Sequence, residues 1–227
     1  MKAKRTYILP YSPVHMDIVE KTQVLSAFPM FLDSTISEVQ KFAEKMNLRV
    51  LRPMEVFVEE DMDDHQAFFI FQGAVSVFRT TSEGEIINID LHGAPELVGE
   101  MGLIDSKPSA ASAMAIEETH ALVLNQSDFN ELVKSNPMYA VLLLKVFADK
   151  TRYFDVFLEH LLSNNLYERT WYLLQCLGQY FPNNEIALSQ EQLDDLIWGT
   201  RSRINEVLIT LEKEGKIEIS RRKIKLL

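Results

Sequence analysis

The hydrophobic period of this chain turns from strand-like to helical near Asp128, and that change limits the folds open to it. Before it, from Arg49, short β-rich runs follow one another: Glu55 to Glu59, Ala67 to Phe71, Ala74 to Arg79, Ile86 to Leu91 and Ala121 to Leu124. Turn signals at Gly73, Ser82-Glu83-Gly84 and His92-Gly93 separate them. Strands of this length and spacing build a sandwich or jelly roll. A helical lead-in over about residues 17 to 47 precedes them, with Ser34 or Ser37 as the cap before Val39, Phe42, Ala43 and Met46.

After Asp128 the period is helical. Asn136-Pro137 starts a helix, since Asn caps orphan amides and Pro tolerates the first helical position, and no breaker follows until about Leu162. Along it Ala140, Leu144, Phe147, Thr151, Phe154, Leu158 and Leu161 recur at alternating spacings of four and three, the pattern of a two-helix seam. A symmetric partner is the simplest use of that seam, which makes the chain a homodimer; the alternative is a stripe packed on the chain's own β domain. Length favours the dimer, because a run of about 26 residues is ~39 Å long at ~1.5 Å per residue, more than one small domain needs to cover.

Beyond Ser163-Asn164-Asn165 the sequence predicts a helix over about Tyr167 to Phe181, ended by Pro182-Asn183-Asn184. Ser189 and Gln192 form a capping box for a short helix through Leu196 and Ile197, and Trp198-Gly199 turns the chain. Thr200 then caps a second helix with Ile204, Val207, Leu208 and Leu211 on one face, stopped at Glu214-Gly215. Ile217 and Ile219, Ser220-Arg221-Arg222-Lys223, and Ile224 and Leu226 alternate like a hairpin with a basic tip. This order is a winged helix-turn-helix, whose second helix enters the major groove of double-stranded DNA while the wing touches backbone.

On that second helix Ser202 and Glu206 point most directly away from the core stripe, flanked by Arg201, Arg203 and Asn205. Two arginines in a first turn oppose the helix macrodipole, so an ordinary solvated face does not account for them. The DNA-facing set is therefore Ser189, Gln190, Thr200, Arg201, Ser202, Arg203, Asn205 and Glu206, with Arg221, Arg222 and Lys223 of the wing on phosphates.

Charge supports this only through its distribution. The net charge is −10, yet residues 166–227 carry nine basic and nine acidic side chains, and the last 27 residues carry eight bases against four acids. A single cysteine, Cys176, excludes a disulfide framework and multi-thiolate metal sites, and fits a reducing cytoplasm; amid Leu173, Leu174 and Leu177 it reads as a small core residue. His15, His65, His92, His120 and His160 are isolated, which argues against a cupin-like metalloenzyme, and neither metal nor cofactor is called for. No apolar run approaches the ~20 residues that span a bilayer, and the basic N-terminus is not followed by an export-length apolar segment. No Walker loop, nucleophile elbow or carboxylate pair marks an enzyme.

Gly99-Glu100-Met101-Gly102-Leu103, the later Ser112-Ala113, Asn136-Pro137 and Leu193 through Gly215 together resemble the Crp/Fnr superfamily of transcription regulators over nearly the whole chain. The resemblance implies an α+β fold: an N-terminal β-roll of cyclic-nucleotide-binding type, a long dimerisation helix, and a C-terminal winged helix-turn-helix. The divisions are residues 1–135, 136–163 and 164–227. It implies an effector pocket at Gly99, Glu100, Met101, Ala111, Ser112 and Phe154, a small-molecule effector, and RNA polymerase as a protein partner.

The chain departs from the family at two functional points. The family's phosphate-binding Arg-Ser pair falls on Ala111-Ser112, and no Arg or Lys lies between Lys107 and Lys134. Where cyclic-AMP-binding members place two hydroxyls on the dimer helix, this chain has Phe154-Asp155. The expected effector is thus not cyclic AMP. In the family the positions of Ser202 and Glu206 often hold Glu and Arg, so the operator is expected to differ from the usual family consensus. A winged helix that contacts protein instead of DNA is the competing reading.

Overall fold

The computed structural model describes residues 15–83, 86–163, 165–178, 182–186, 197, 200–220 and 223–227. The chain divides into two compact units, one of residues up to Val77 with Gly93–Asp149, the other of Phe78–His92 with residues from Lys150 onward.

The first unit opens with α1 (Ile18–Ser26) and α2 (Ile36–Glu44), each begun by a reciprocal capping box. Asp17 accepts from the Glu20 amide while the Glu20 carboxylate accepts from the Asp17 amide, and Thr35 and Glu38 repeat the arrangement. The cap of α2 is Thr35 rather than Ser34 or Ser37, because only Thr35 stands three residues before a glutamate.

Eight strands follow: β1 (Asn47–Leu51), β2 (Val56–Val58), β3 (Gln66–Gln72), β4 (Ala74–Thr80), β5 (Ile86–Gly93), β6 (Glu96–Val98), β7 (Ser112–Ala115) and β8 (Thr119–Asn125). They form two four-stranded sheets, ordered β1-β8-β3-β6 and β2-β7-β4-β5. The five strands expected from period and turn signals are present, and β1, β6 and β7 join them. β6 has three residues, and β7 reads Ser-Ala-Met-Ala, too short or too small to show a period.

β3 lies in the middle of its sheet, with Phe68 opposite Val98 on one side and Val123 on the other. Its residues from Ala67 to Phe71 are all buried. Phe68 and Ile70 face an inner core with Leu51, Phe57, Val75, Ala113 and Ala121, drawn from both sheets. Phe69 and Phe71 face an outer core with Phe28 and Phe31, Val39 and Phe42 of α2, and Leu103. Burial on both faces is why this strand reads as an unbroken apolar run.

Between β6 and β7 runs α3 (Glu100–Asp105), and α4 (Gln126–Ser135) follows β8, capped by the Asn125 side chain on the Asp128 amide. The long α5 (Met138–Ser163) starts where Asn136-Pro137 placed it, the Asn136 side chain accepting from the Met138 amide at 3.1 Å. Two faces of α5 separate. Tyr139, Leu142 and Leu143 are buried in the outer core, with Val146 and Phe147 packed against it, and the Tyr139 hydroxyl donates to the Glu38 carbonyl. Leu144, Phe154 and Leu158 stay 60%, 49% and 37% exposed in the single chain. A stripe of α5 thus packs on the chain's own β domain, while Leu144, Phe154 and Leu158 of the expected seam lie off that stripe and exposed. Phe147 of the expected seam is shared with the roll's core.

In the second unit α6 (Leu166–Gly178) precedes β9 (Glu185–Ile186), α7 (Arg201–Lys213), β10 (Ile217–Ser220) and β11 (Lys223–Leu226). The three strands form one sheet in the order β10-β11-β9. α6 is described to Gly178, where a Cβ would collide with the Leu226 side chain of β11; residues 179–181 of the expected helix lie outside the described residues. The short helix expected from Ser189 to Ile197 lies outside the described residues except Ile197, which is helical and buried.

Phe69 sits 5.4 Å from Phe28 and 5.7 Å from Phe42, ring centroid to ring centroid. Phe69→Ala should cost about 3–5 kcal/mol in urea unfolding, as expected for a large-to-small change in a packed core. A cost near zero would mean that β3 does not organise this core.

Candidate functional site

α7 carries the first candidate site. Ile204, Leu208 and Leu211 are buried, which turns Arg201, Ser202, Arg203, Asn205 and Glu206 outward, and all five are exposed. Helix periodicity alone produces this division, since residues three and four apart share a face. Thr200 occupies the N-cap position in extended conformation, but its side chain makes no capping hydrogen bond, so it starts the helix by backbone shape only.

The end of α7 is a Schellman motif. Gly215 takes φ +71°, its amide donates to the Glu212 carbonyl, and the Lys216 amide reaches back to the Leu211 carbonyl at 3.0 Å. This reversal sends the chain into the wing, where Ile217 pairs with Leu226 and Ser220 with Lys223. The wing is tied down by side chains that sequence reasoning did not single out. Glu212 accepts from the Ile219 amide at 2.9 Å, and Glu214 accepts from the Tyr167 hydroxyl and from Lys216. The Tyr167 hydroxyl, then Lys216, holds the Glu214 carboxyl below the usual carboxylate range. The Tyr167/Trp171 pair, one helical turn apart on α6, was the available sequence signal.

Lys223 lies 3.5 Å from the Glu185 carboxylate of β9, so its charge is partly answered within the protein. Ser189, Gln190, Arg221 and Arg222 fall outside the described residues.

The second candidate site lies in the first unit. Gly99, at φ +84°, links β6 to α3, and a Cβ there would collide with the Gln66 carbonyl, so only glycine permits the turn. The next residue, Glu100, is 6% exposed although charged, while Met101 is exposed. The Gln126 amide nitrogen pins the far end of α3 through the Gly102 carbonyl at 2.9 Å and the Ser106 hydroxyl at 2.7 Å.

Ala111 and Ser112 lead into β7, and Ser112 is buried with its Oγ accepting from the Glu60 amide at 2.9 Å. Asp61 and Ser109 also join, amide to carbonyl, at 2.9 Å, and the Ser109 amide donates to the Met62 carbonyl. The loop so held against 109–112 bears Glu59, Glu60, Asp61, Asp63 and Asp64, and Lys107 is drawn to Asp105 at 3.7 Å. Phe154 is exposed on the half of α5 that belongs to the second unit. Among the described residues no group of three or more His, Cys, Asp or Glu gathers to hold a metal, and no helix is long and apolar enough to cross a membrane.

Comparison with known proteins places this geometry. The family model for the cyclic nucleotide-binding domain matches residues 48–136, from β1 through α4. The chain is 30% identical over 164 residues to the cyclic AMP receptor protein of Thermus thermophilus, covering 72% of this chain and 76% of that protein. The chain belongs to the Crp/Fnr superfamily of transcription regulators. Another Crp/Fnr relative, the CRP-like cAMP-activated global transcriptional regulator of Mycobacterium tuberculosis, is 25% identical over 171 residues, 72% of this chain and 76% of its own length. Among solved structures, FixK2 from Bradyrhizobium japonicum has the same fold, with a TM-score of 0.70 at 19% identity over 80% of this chain and 92% of that one. These Crp/Fnr relatives are transcription regulators and not enzymes, and the β-roll followed by helices is the family architecture.

Burial pushes the Cys176 thiol up, and Tyr172, which hydrogen-bonds to it, is pushed up to about 12, chiefly by burial. Iodoacetamide at neutral pH should therefore alkylate Cys176 more slowly than it alkylates free glutathione. Faster alkylation would show an activated thiolate.

Proposed function

We propose that the chain is a homodimeric, sequence-specific DNA-binding transcription regulator, acting in the cytoplasm, whose β-roll senses a small molecule other than cyclic AMP. The observation that carries the DNA reading is the face of α7: Arg201, Ser202, Arg203, Asn205 and Glu206 exposed over buried Ile204, Leu208 and Leu211. Arg201, Arg203 and Asn205 read base edges, Glu206 accepts from a cytosine amino group or orients an arginine, and Arg221, Arg222 and Lys223 meet phosphates. Ser189, Gln190 and Thr200 complete the surface. RNA polymerase is the expected protein partner.

The functional divisions are residues 1–135 for sensing, 136–163 for dimerisation and 164–227 for DNA. Effector binding shifts a population between two dimer states that differ in the spacing of the paired recognition helices. The Thermus relative is named as a cyclic AMP receptor and the mycobacterial one as cAMP-activated. Cyclic AMP is disfavoured for this chain by Ala111 in place of the phosphate-binding arginine and by the acidic loop hydrogen-bonded to 109–112. Glu100 and Ser112 remain as polar anchors for a ligand that does not depend on a phosphate contact.

Three measurements test this. Duplex binding should weaken linearly in log affinity against log salt, because phosphate contacts release counterions; Arg203→Ala should cost ~1–3 kcal/mol and relax preference at one position per half-site. A flat salt response would favour the winged helix as a protein-docking module. Calorimetry should detect no micromolar cyclic AMP binding, since a lost charge-assisted contact is worth roughly ten- to a hundredfold in affinity. Sedimentation should give a dimer for the wild type and a monomer for Leu144→Glu with Leu158→Glu. Both positions are exposed in the single chain, so the pair tests the interface without disturbing the roll's core as Phe147→Glu would. A monomeric wild type would end the dimer reading.

A further inference from the structure

The last 27 residues hold eight basic side chains, and a DNA-binding surface invites counting all eight as phosphate contacts. Lys216 is placed differently. Its Nζ lies 2.7 Å from the Tyr167 hydroxyl and 2.9 Å from the Glu214 carboxylate. It also lies 5.5 Å from the Trp171 ring centroid, and 5.2 Å from that of Tyr167 on the hydroxyl edge of the ring. The Tyr167 hydroxyl donates in turn to Glu214, closing a triangle of donor, relay and acceptor. An ammonium has three protons to give, and two are committed inside the protein. The Tyr167 hydroxyl, the Trp171 ring and the Glu214 carboxylate form a cage that suits a cation, and it is filled from the chain itself.

The backbone of the same residue joins the elements that matter for DNA. Its amide donates to the Leu211 carbonyl, closing α7, and its carbonyl accepts from the Leu227 amide at 3.0 Å, closing the end of the wing. Its side chain holds both to α6 through Tyr167 and Trp171.

We infer that Lys216 is a positioning residue: locked in the Tyr167–Trp171–Glu214 cage, it fixes the wing relative to the recognition helix α7 instead of contacting phosphate itself. This rests on the DNA-binding reading for its consequence, though the lock exists in the protein alone. The Glu212 contact to the Ile219 amide is a second, weaker tie on β10. Removing the lock leaves the face of α7 in place and loosens the strands beside it.

Two substitutions separate a lock from a phosphate contact. Lys216→Met removes the cation; Tyr167→Phe removes the relay hydroxyl that ties Lys216 and Glu214 to α6 and leaves the cation itself in place. In full-length protein without DNA, both should speed amide exchange several-fold in β10 and β11 and leave β3 unchanged. Binding to a mixed-sequence duplex should weaken about three- to tenfold in both, with a shallower salt slope. Lys216→Arg, which keeps a cation in the cage, should restore most of the affinity. The inference is overturned if wing exchange is unchanged in both variants. It is equally overturned if Tyr167→Phe keeps or steepens the salt slope while Lys216→Met lowers it by about one phosphate's worth, since Lys216 would then be a direct contact. A wild type that shows no salt-dependent duplex binding would defeat the DNA reading instead, and the exchange measurement would still decide the lock.

Discussion

The fold of the first unit depends on one strand that is apolar on both faces. Phe68 and Ile70 of β3 fill the space between the two sheets, and Phe69 and Phe71 fill the space under the helices. Because side chains alternate across a strand, β3 contributes to two cores at once, as its neighbour β8 does through Ala121 on one face and Leu122 and Leu124 on the other. The consequence reaches the candidate effector site directly. β6 pairs with β3, and Gly99, at its end, passes so close to the Gln66 carbonyl that no side chain fits. The place where Glu100 is buried is therefore set by β3, one strand away, and not by the local sequence of α3 alone.

Much of this was legible because period and punctuation agreed. Asn136-Pro137 marked the start of α5, Gly215 the end of α7, and alternation from Ile217 to Leu226 the wing. What was missed had a physical reason in each case. β6 and β9 contain three and two residues, too few for any periodicity. The start of α2 was misplaced by its neighbour serines, because a serine is a good cap in isolation while Thr35 has the glutamate three residues on that closes the box. The Lys216 cage assembles residues 167, 171, 214 and 216 from two helices and the start of a wing, and a one-dimensional pattern cannot reveal which base has been taken out of circulation.

Charge in this protein is informative by position and misleading in sum. A net charge of −10 describes a poor DNA ligand, yet the outward face of α7 opens with two arginines. Around the β6–α3 turn the imbalance runs the other way: five carboxylates on the 59–64 loop, no Lys or Arg from 108 to 133, and a buried Glu100. That charge pattern is what the proposal of an effector other than cyclic AMP rests on. α5 shows a similar economy of shape, with one face committed to the roll through Tyr139, Leu142 and Leu143 and another left apolar and uncovered at Leu144 and Leu158.

The central claim is that this superfamily member reads DNA through a changed set of side chains on α7. Selection of bound duplexes from a random library tests it most directly. The account predicts enrichment of a two-fold symmetric site, its half-sites about one helical turn apart, with a sequence different from the usual consensus of the superfamily. Recovery of that usual consensus, or no enrichment of any sequence, would contradict it.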